Sequence, residues 1–130
     1  MGNLLKDIVV IDVETSGVDY KTSEILGISA VLLQSNKVTG LKYETWCNAS
    51  LPINKNVLDL IGKKEAFFED QPLIPDVIID LEKFIKNKTV VANNPVFCSN
   101  FLYKAGLSKE IKIGDALDIV RANLKDYHPY

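Results

Sequence analysis

The chain has little cysteine, histidine or net charge, and it has no long apolar run. Its two cysteines, Cys47 and Cys98, make neither a disulfide framework nor a zinc cluster, so a reduced, cytoplasmic setting is expected. The one histidine, His128, has no metal-ligating residue at close spacing and reads as a structural or incidental surface residue. No stretch reaches the ~20 apolar residues that span a bilayer. Lys6 and Asp7 interrupt the N-terminal apolar residues before a secretory core can form, and no membrane partner is expected. Fifteen basic residues against seventeen acidic ones give a net charge of −2, which excludes a broad basic surface for coating nucleic acid. It does not exclude an enzyme whose phosphate contacts run through cations held by acidic side chains. Repeats, low-complexity tracts and linkers are lacking too. What remains, 130 residues of which 47% are hydrophobic, suits one globular domain with a single core.

Ile8 to Gly17 is the most informative stretch. The β-branched run Ile8, Val9, Val10 and Ile11 predicts a strand buried on both faces in the middle of a sheet. Period two then puts Asp12 and Glu14 on one face, with Val13 turned the other way into packing. Two carboxylates that close repel. At the end of a dry strand they need a cation or a proton between them, which points to a divalent metal site. A strand end that has simply reached solvent is the competing reading. Thr15, Ser16 and Gly17 turn the chain, with Gly17 free to take positive φ.

The rest of the chain alternates strands and helices. A polar loop at 18–23 leads to a second strand at 25–33, and Gln34 to Lys37 reads as a hairpin turn into a third strand over about 38–48. Lys42 to Trp46 alternates, which predicts one packed and one wet face, with Trp46 in the core or at its rim. Residues 54–61 have helical spacing with Gly62 as the stop. A second helix spans about 74–86, with Leu73, Val77, Ile78, Leu81, Phe84 and Ile85 as its apolar stripe and Asp76 and Asp80 solvated. Thr89 to Ala92 is a short buried strand, and Asn93-Asn94-Pro95 breaks it. A helix follows over 96–106 on the stripe Phe97, Phe101, Leu102 and Ala105, then a strand over 110–113 and a helix over about 115–124 that Asp115 caps. The order β-β-β-α-α-β-α-β-α predicts an α/β fold, a mixed sheet flanked by helices.

Asp12-Val13-Glu14-Thr15-Ser16-Gly17 after an apolar strand resembles the first motif of the DEDD, or DnaQ-like, 3′-to-5′ exonucleases, which include the proofreading subunit or domain of bacterial replicative DNA polymerases. The likeness continues along nearly the whole chain. Ile25 to Val31 is similar to the family's second strand, with Gly27 where an acidic residue is common. Leu60-Ile61-Gly62 resembles its Leu-Thr-Gly, and Val90 to Cys98 its second motif. In that motif Asn93 stands for a histidine and Cys98 for the third metal-associated aspartate. Ile113-Gly114-Asp115-Ala116-Leu117 resembles the Asp-Thr-Leu that opens the next helix, where the aspartate is structural.

The resemblance implies a ribonuclease-H-like fold with a mixed five-stranded sheet, three antiparallel strands followed by β-α-β. It also implies two Mg²⁺ or Mn²⁺ ions held by carboxylates, of which Asp12 and Glu14 account for at most one. A third motif, a general base followed by a last aspartate, normally lies some tens of residues further on. His128 falls too early to be that base, so residues 1–130 are expected to be one domain, C-terminally incomplete and lacking the usual last helices. A 3′ end of single-stranded DNA would lie at the strand-end cleft, against Thr15, Val18 and Asn94, for each of which a turn or packing role is the alternative.

Three functional readings follow. The chain is a pseudo-exonuclease kept as a protein-interaction or nucleic-acid-binding module, an enzyme completed by a missing segment or a partner, or an active nuclease with a replacement ligand. The first ranks highest for this chain alone, because the substitution at Cys98 does not depend on where the chain ends. A homodimer or a hetero-partner is expected to cover apolar sheet surface beside Asp12.

Overall fold

The computed structural model describes residues 7–35 and 37–119. The elements run β1 (Asp7–Thr15), β2 (Ile25–Gln34), β3 (Lys37–Trp46), α1 (Lys55–Ile61), a 3-10 helix (Glu65–Asp70), α2 (Ile74–Ile85), β4 (Thr89–Ala92), α3 (Pro95–Lys104) and β5 (Ile113–Asp115). The five strands form one mixed sheet in the order β3-β2-β1-β4-β5. The β-branched run makes β1 the central strand, antiparallel to β2 and parallel to β4.

Register sorts the side chains into two faces. Val9, Ile11 and Val13 pair with Leu32, Ala30 and Ile28. Together with Val90 and Ala92 they pack against Val77, Ile78, Leu81 and Ile85 of α2 and Cys98, Phe101 and Leu102 of α3. The opposite face carries Asp12 and Glu14 of β1, opposite Ser29 and Gly27 of β2. Ser29 and Gly27 in turn sit opposite Glu44 and Trp46 of β3. A second, smaller core of Leu26, Ile53 and Phe68 gathers Trp46, Val57, Leu58, Ile61 and Phe67.

Caps end the helices, with Gly62 and Asp115 where the sequence places them. The Asn54 side chain accepts from Asn56 N–H at 2.7 Å and Gly62 closes α1 at φ 73°. Asn87 at φ 61° follows α2. Asp115 Oδ1 accepts from Leu117 N–H at 2.8 Å, at the start of a helical stretch over 116–119.

Several expectations need correction. Gly17 does not take positive φ; a Cβ there would instead stand 2.5 Å from Ser23 Oγ, so close approach is its reason. Leu73 is 56% exposed because it precedes the first turn of α2 and leaves the stripe. Residues 65–70 form a 3-10 helix that the sequence reading passes over, and Phe68 is its buried anchor. The last strand begins at Ile113 and not at Glu110, because Ile113 is the residue that pairs with Val90. The alternation expected over 42–46 is present, Lys42 and Glu44 being exposed and Tyr43 and Thr45 half-buried, although no residue of this edge strand is fully buried. The helix expected over 115–124 runs into residues outside those described, and His128 lies among them.

Candidate active site

Asp12 and Glu14 end the central strand on the open face and share one groove of about 270 Å³ with Gly27, Ser29, Glu44 and Trp46. Both carboxylates are exposed. The strand end has thus reached solvent, one of the two readings the sequence left open, and water screens the mutual repulsion of the pair. Two rows cross the groove, Asp12–Ser29–Glu44 and Glu14–Gly27–Trp46. Ser29 Oγ donates to Glu44 Oε2 at 3.4 Å, and Lys42 Nζ lies 3.1 Å from Glu44 Oε1. Among the described residues no group of three or more His, Cys, Asp or Glu side chains is placed to hold one ion.

Gly27 decides the floor of the groove. A Cβ there would meet Trp46 Cε3 at 2.9 Å, so the missing side chain is what lets the indole lie down on β2. Trp46 is half-buried and stands edge-on to Phe67 at 6.0 Å and to Phe68 at 5.8 Å. Lys63 Nζ lies 5.8 Å from its ring centre. The tryptophan is a rim residue, as expected.

β4 leaves the sheet beside β1 in the same direction, so α3 starts at the end where the carboxylates stand. From β1 the chain turns to β2 on one side, and from β4 to β5 on the other; crevices at such a reversal are where open sheets receive ligands. Asn94 caps α3, its Oδ1 accepting from Phe97 N–H at 3.3 Å. Thr15 Oγ1 donates to Gly17 O at 2.7 Å, and Ser16 Oγ accepts from Glu24 N–H at 2.9 Å to hold the same turn. Val18 beyond it is 87% exposed, with no packing role to explain it.

Cys98, in the first turn of α3, is buried within the field of Asp12. Burial, and then the charge of Asp12, push its thiol up to about 11, against a lowering backbone hydrogen bond from Val13. The thiol is protonated at neutral pH. A neutral S–H is a weak donor and a poor ligand for a hard cation. Asn93, two residues before the helix, is exposed.

The sequence reading put Asp12 and Glu14 on one face, where both line the groove, while Cys98 does not line it; the reading missed Ser29, Glu44 and the groove-forming role of Trp46. Parity within β2 and β3 carries part of that signal. Which β3 residue faces which β2 residue depends on an irregularity between Val31 and Leu33.

A family model described as Exonuclease matches residues 9–127. The DNA polymerase III PolC-type protein of Caldanaerobacter subterraneus subsp. tengcongensis is 32% identical over 128 residues, which is 95% of this chain and 9% of that protein. The DNA polymerase III subunit epsilon of Buchnera aphidicola subsp. Schizaphis graminum is 27% identical over 105 residues, 77% of this chain and 45% of that protein. The chain thus spans less than half the length of either relative. The solved complex of E. coli exonuclease I with single-stranded DNA, in its metal-free form, superposes with a TM-score of 0.70 at 14% identity, over 95% of this chain and 31% of that one. At that identity the likeness is one of fold, the ribonuclease-H-like sheet described above. A match over almost the whole length, around a central strand that ends in Asp12 and Glu14, leads to one assignment: the chain belongs to the exonuclease family, as a DnaQ-like domain related to DNA polymerase III.

Proposed function

We propose that residues 1–130 act as one cytoplasmic exonuclease-type domain, related to polymerase III proofreading and catalytically incomplete as this chain stands. The observation that carries this reading is the buried, protonated thiol of Cys98 beside Asp12, at the position where the family resemblance implies a third carboxylate. Asp12 and Glu14 fit one hard divalent ion, Mg²⁺ or Mn²⁺, that keeps several of its waters. Such an ion would supply positive charge to a phosphate oxygen. A second ion finds no further carboxylate at Cys98, and the position of the family histidine in the second motif is taken by Asn93.

The substrate class is a 3′ end of single-stranded DNA, in keeping with the single-stranded DNA bound to the structurally similar exonuclease I. Thr15, Val18 and Asn94 would flank the terminal nucleotide at the carboxylate end of β1. The exposed Val18 offers a free apolar surface there. On this reading the domain binds a strand end without cutting it.

A second reading, an active exonuclease completed by another segment, is favoured by one fact: the chain covers 9% of the PolC-type relative. Mn²⁺ titration of the wild type and Asp12→Ala by calorimetry, alongside release from a 3′-labelled single strand, separates the two. Metal binding without release supports the first reading, and Asp12-dependent release supports the second.

A further inference from the structure

Apolar surface beside Asp12 is less open than the sequence suggests: Ile8 and Val91 are buried on that face and Val10, Val31 and Leu33 are half-buried. The outer edge of β3 differs. It is the first strand of the sheet, none of its residues is fully buried, and among the described strands none pairs with its outer side. Val38 is 71% exposed and Leu41 58%. A long unpaired edge is a template for another strand.

The hydrogen-bonding groups along that edge can be assigned. Cys47 N–H donates to Leu26 O at 2.8 Å, one step beyond the Gly27–Trp46 pair. In an antiparallel ladder N–H and C=O point to one neighbour at alternate residues. Tyr43 and Thr45 therefore turn theirs toward β2, and Lys42 and Glu44 turn theirs outward, while Leu41 N–H donates to Thr39 Oγ1. Gly40, at φ 85°, limits the regular edge on one side.

We infer that β3 is the contact through which two copies of this chain pair, antiparallel about a twofold axis at Tyr43, so that Lys42 of each copy stands opposite Glu44 of the other. Charge selects this register. The neighbouring arrangements that keep the outward hydrogen bonds are centred on Lys42 or on Glu44, and each sets like charges face to face, which is unfavourable in cross-strand pairs. Centred on Tyr43, the strand is complementary to itself in charge and backbone alike. Lys42 and Glu44 are exposed, and their solvent-screened ion pair along the strand would be exchanged for cross-strand pairs. On the α2 face Leu41 falls opposite Thr45 and is covered, while Tyr43 meets Tyr43. The sheet becomes continuous across the dimer, and Lys42 of the second copy reaches the rim of the groove that holds Asp12 and Glu14.

Sedimentation equilibrium of the whole 130-residue chain tests this. The wild type is expected to dimerise in the micromolar range, more weakly at high salt. Lys42→Glu and Glu44→Lys, each alone, set like charges opposite at both symmetry-related positions and are expected to weaken the dimer about tenfold or more. Mixing the two variants restores opposite charges at both positions, and a heterodimer is expected to re-form, as is a homodimer of the double exchange. A wild type that stays monomeric overturns the proposal. So does a dimer indifferent to the single reversals, or single variants that do not recover on mixing. Far-ultraviolet circular dichroism on each variant shows that loss of the dimer is not loss of the fold.

Discussion

Cys98 and Asp12 are neighbours across the α3–β1 packing, a buried thiol beside an exposed carboxylate, and that carboxylate helps to hold the thiol protonated up to about pH 11. A protonated thiol is a poorer ligand for a hard cation than a carboxylate would be.

The first prediction concerns alkaline stability. Cys47 and Cys98 are pushed up from an ordinary 9.0 to about 12 and about 11, in both cases chiefly by burial. Below the unfolded value both states keep their protons and stability does not depend on these groups. Above it the unfolded chain releases protons that the native chain retains, so stability falls as pH rises, by about 1.4 kcal/mol per thiol for each unit crossed. Urea unfolding between about pH 9 and pH 11 should show this slope, shallower in Cys98→Ala. A flat profile would show that the thiols are not buried as described.

The second concerns Gly27. Gly27→Glu brings a side chain onto Trp46 and is expected to destabilise the fold by about 1–3 kcal/mol through overpacking. Trp46→Ala should relieve part of that cost, since the residues touch and their effects couple. Strictly additive losses in urea unfolding would contradict the contact.

Reading the sequence recovered the strands and helices whose signal is local. Ile8 to Ile11, the helical spacing over 54–61, the Gly62 stop and the Asn93-Asn94-Pro95 break each lie within one short window. Contacts that depend on register did not emerge. Trp46 rests on Gly27 because two strands align in one way, and nothing within either strand states the alignment. The Phe67–Phe68 pair, with rings 5.2 Å apart, sits in a six-residue 3-10 helix between charged residues and has too short a period to stand out. Asp12 and Glu14 were legible as a pair on one face. Whether the pair is dry or in solvent was left open, because that depends on what packs over the sheet.

The third prediction separates capping from ligand contact at Asn94. Asn94→Ala removes the acceptor for Phe97 N–H and is expected to cost about 1 kcal/mol in thermal or urea unfolding. Asn94→Asp keeps the cap and should leave stability nearly unchanged. If Asn94 also touches DNA, both variants weaken binding of a fluorescent single strand.

The fourth concerns metal stoichiometry. Calorimetry with Mn²⁺ should show one weak site, lost in Asp12→Ala. Cys98→Asp places a carboxylate where the thiol is buried. Without metal it is expected to destabilise the fold by roughly 2 kcal/mol or more, and Mn²⁺ should restore the loss by binding the folded state. If Mn²⁺ neither binds more tightly to this variant nor raises its midpoint, Cys98 does not share a site with Asp12.

Nucleotide release from a 3′-labelled single strand, in Mg²⁺ or Mn²⁺ and with Asp12→Ala as the reference, tests catalytic incompleteness most directly. The wild type is predicted to release no more than the Asp12→Ala variant. Metal-dependent release by the wild type that Asp12→Ala abolishes would contradict it, and would show that this sheet carries a complete exonuclease centre.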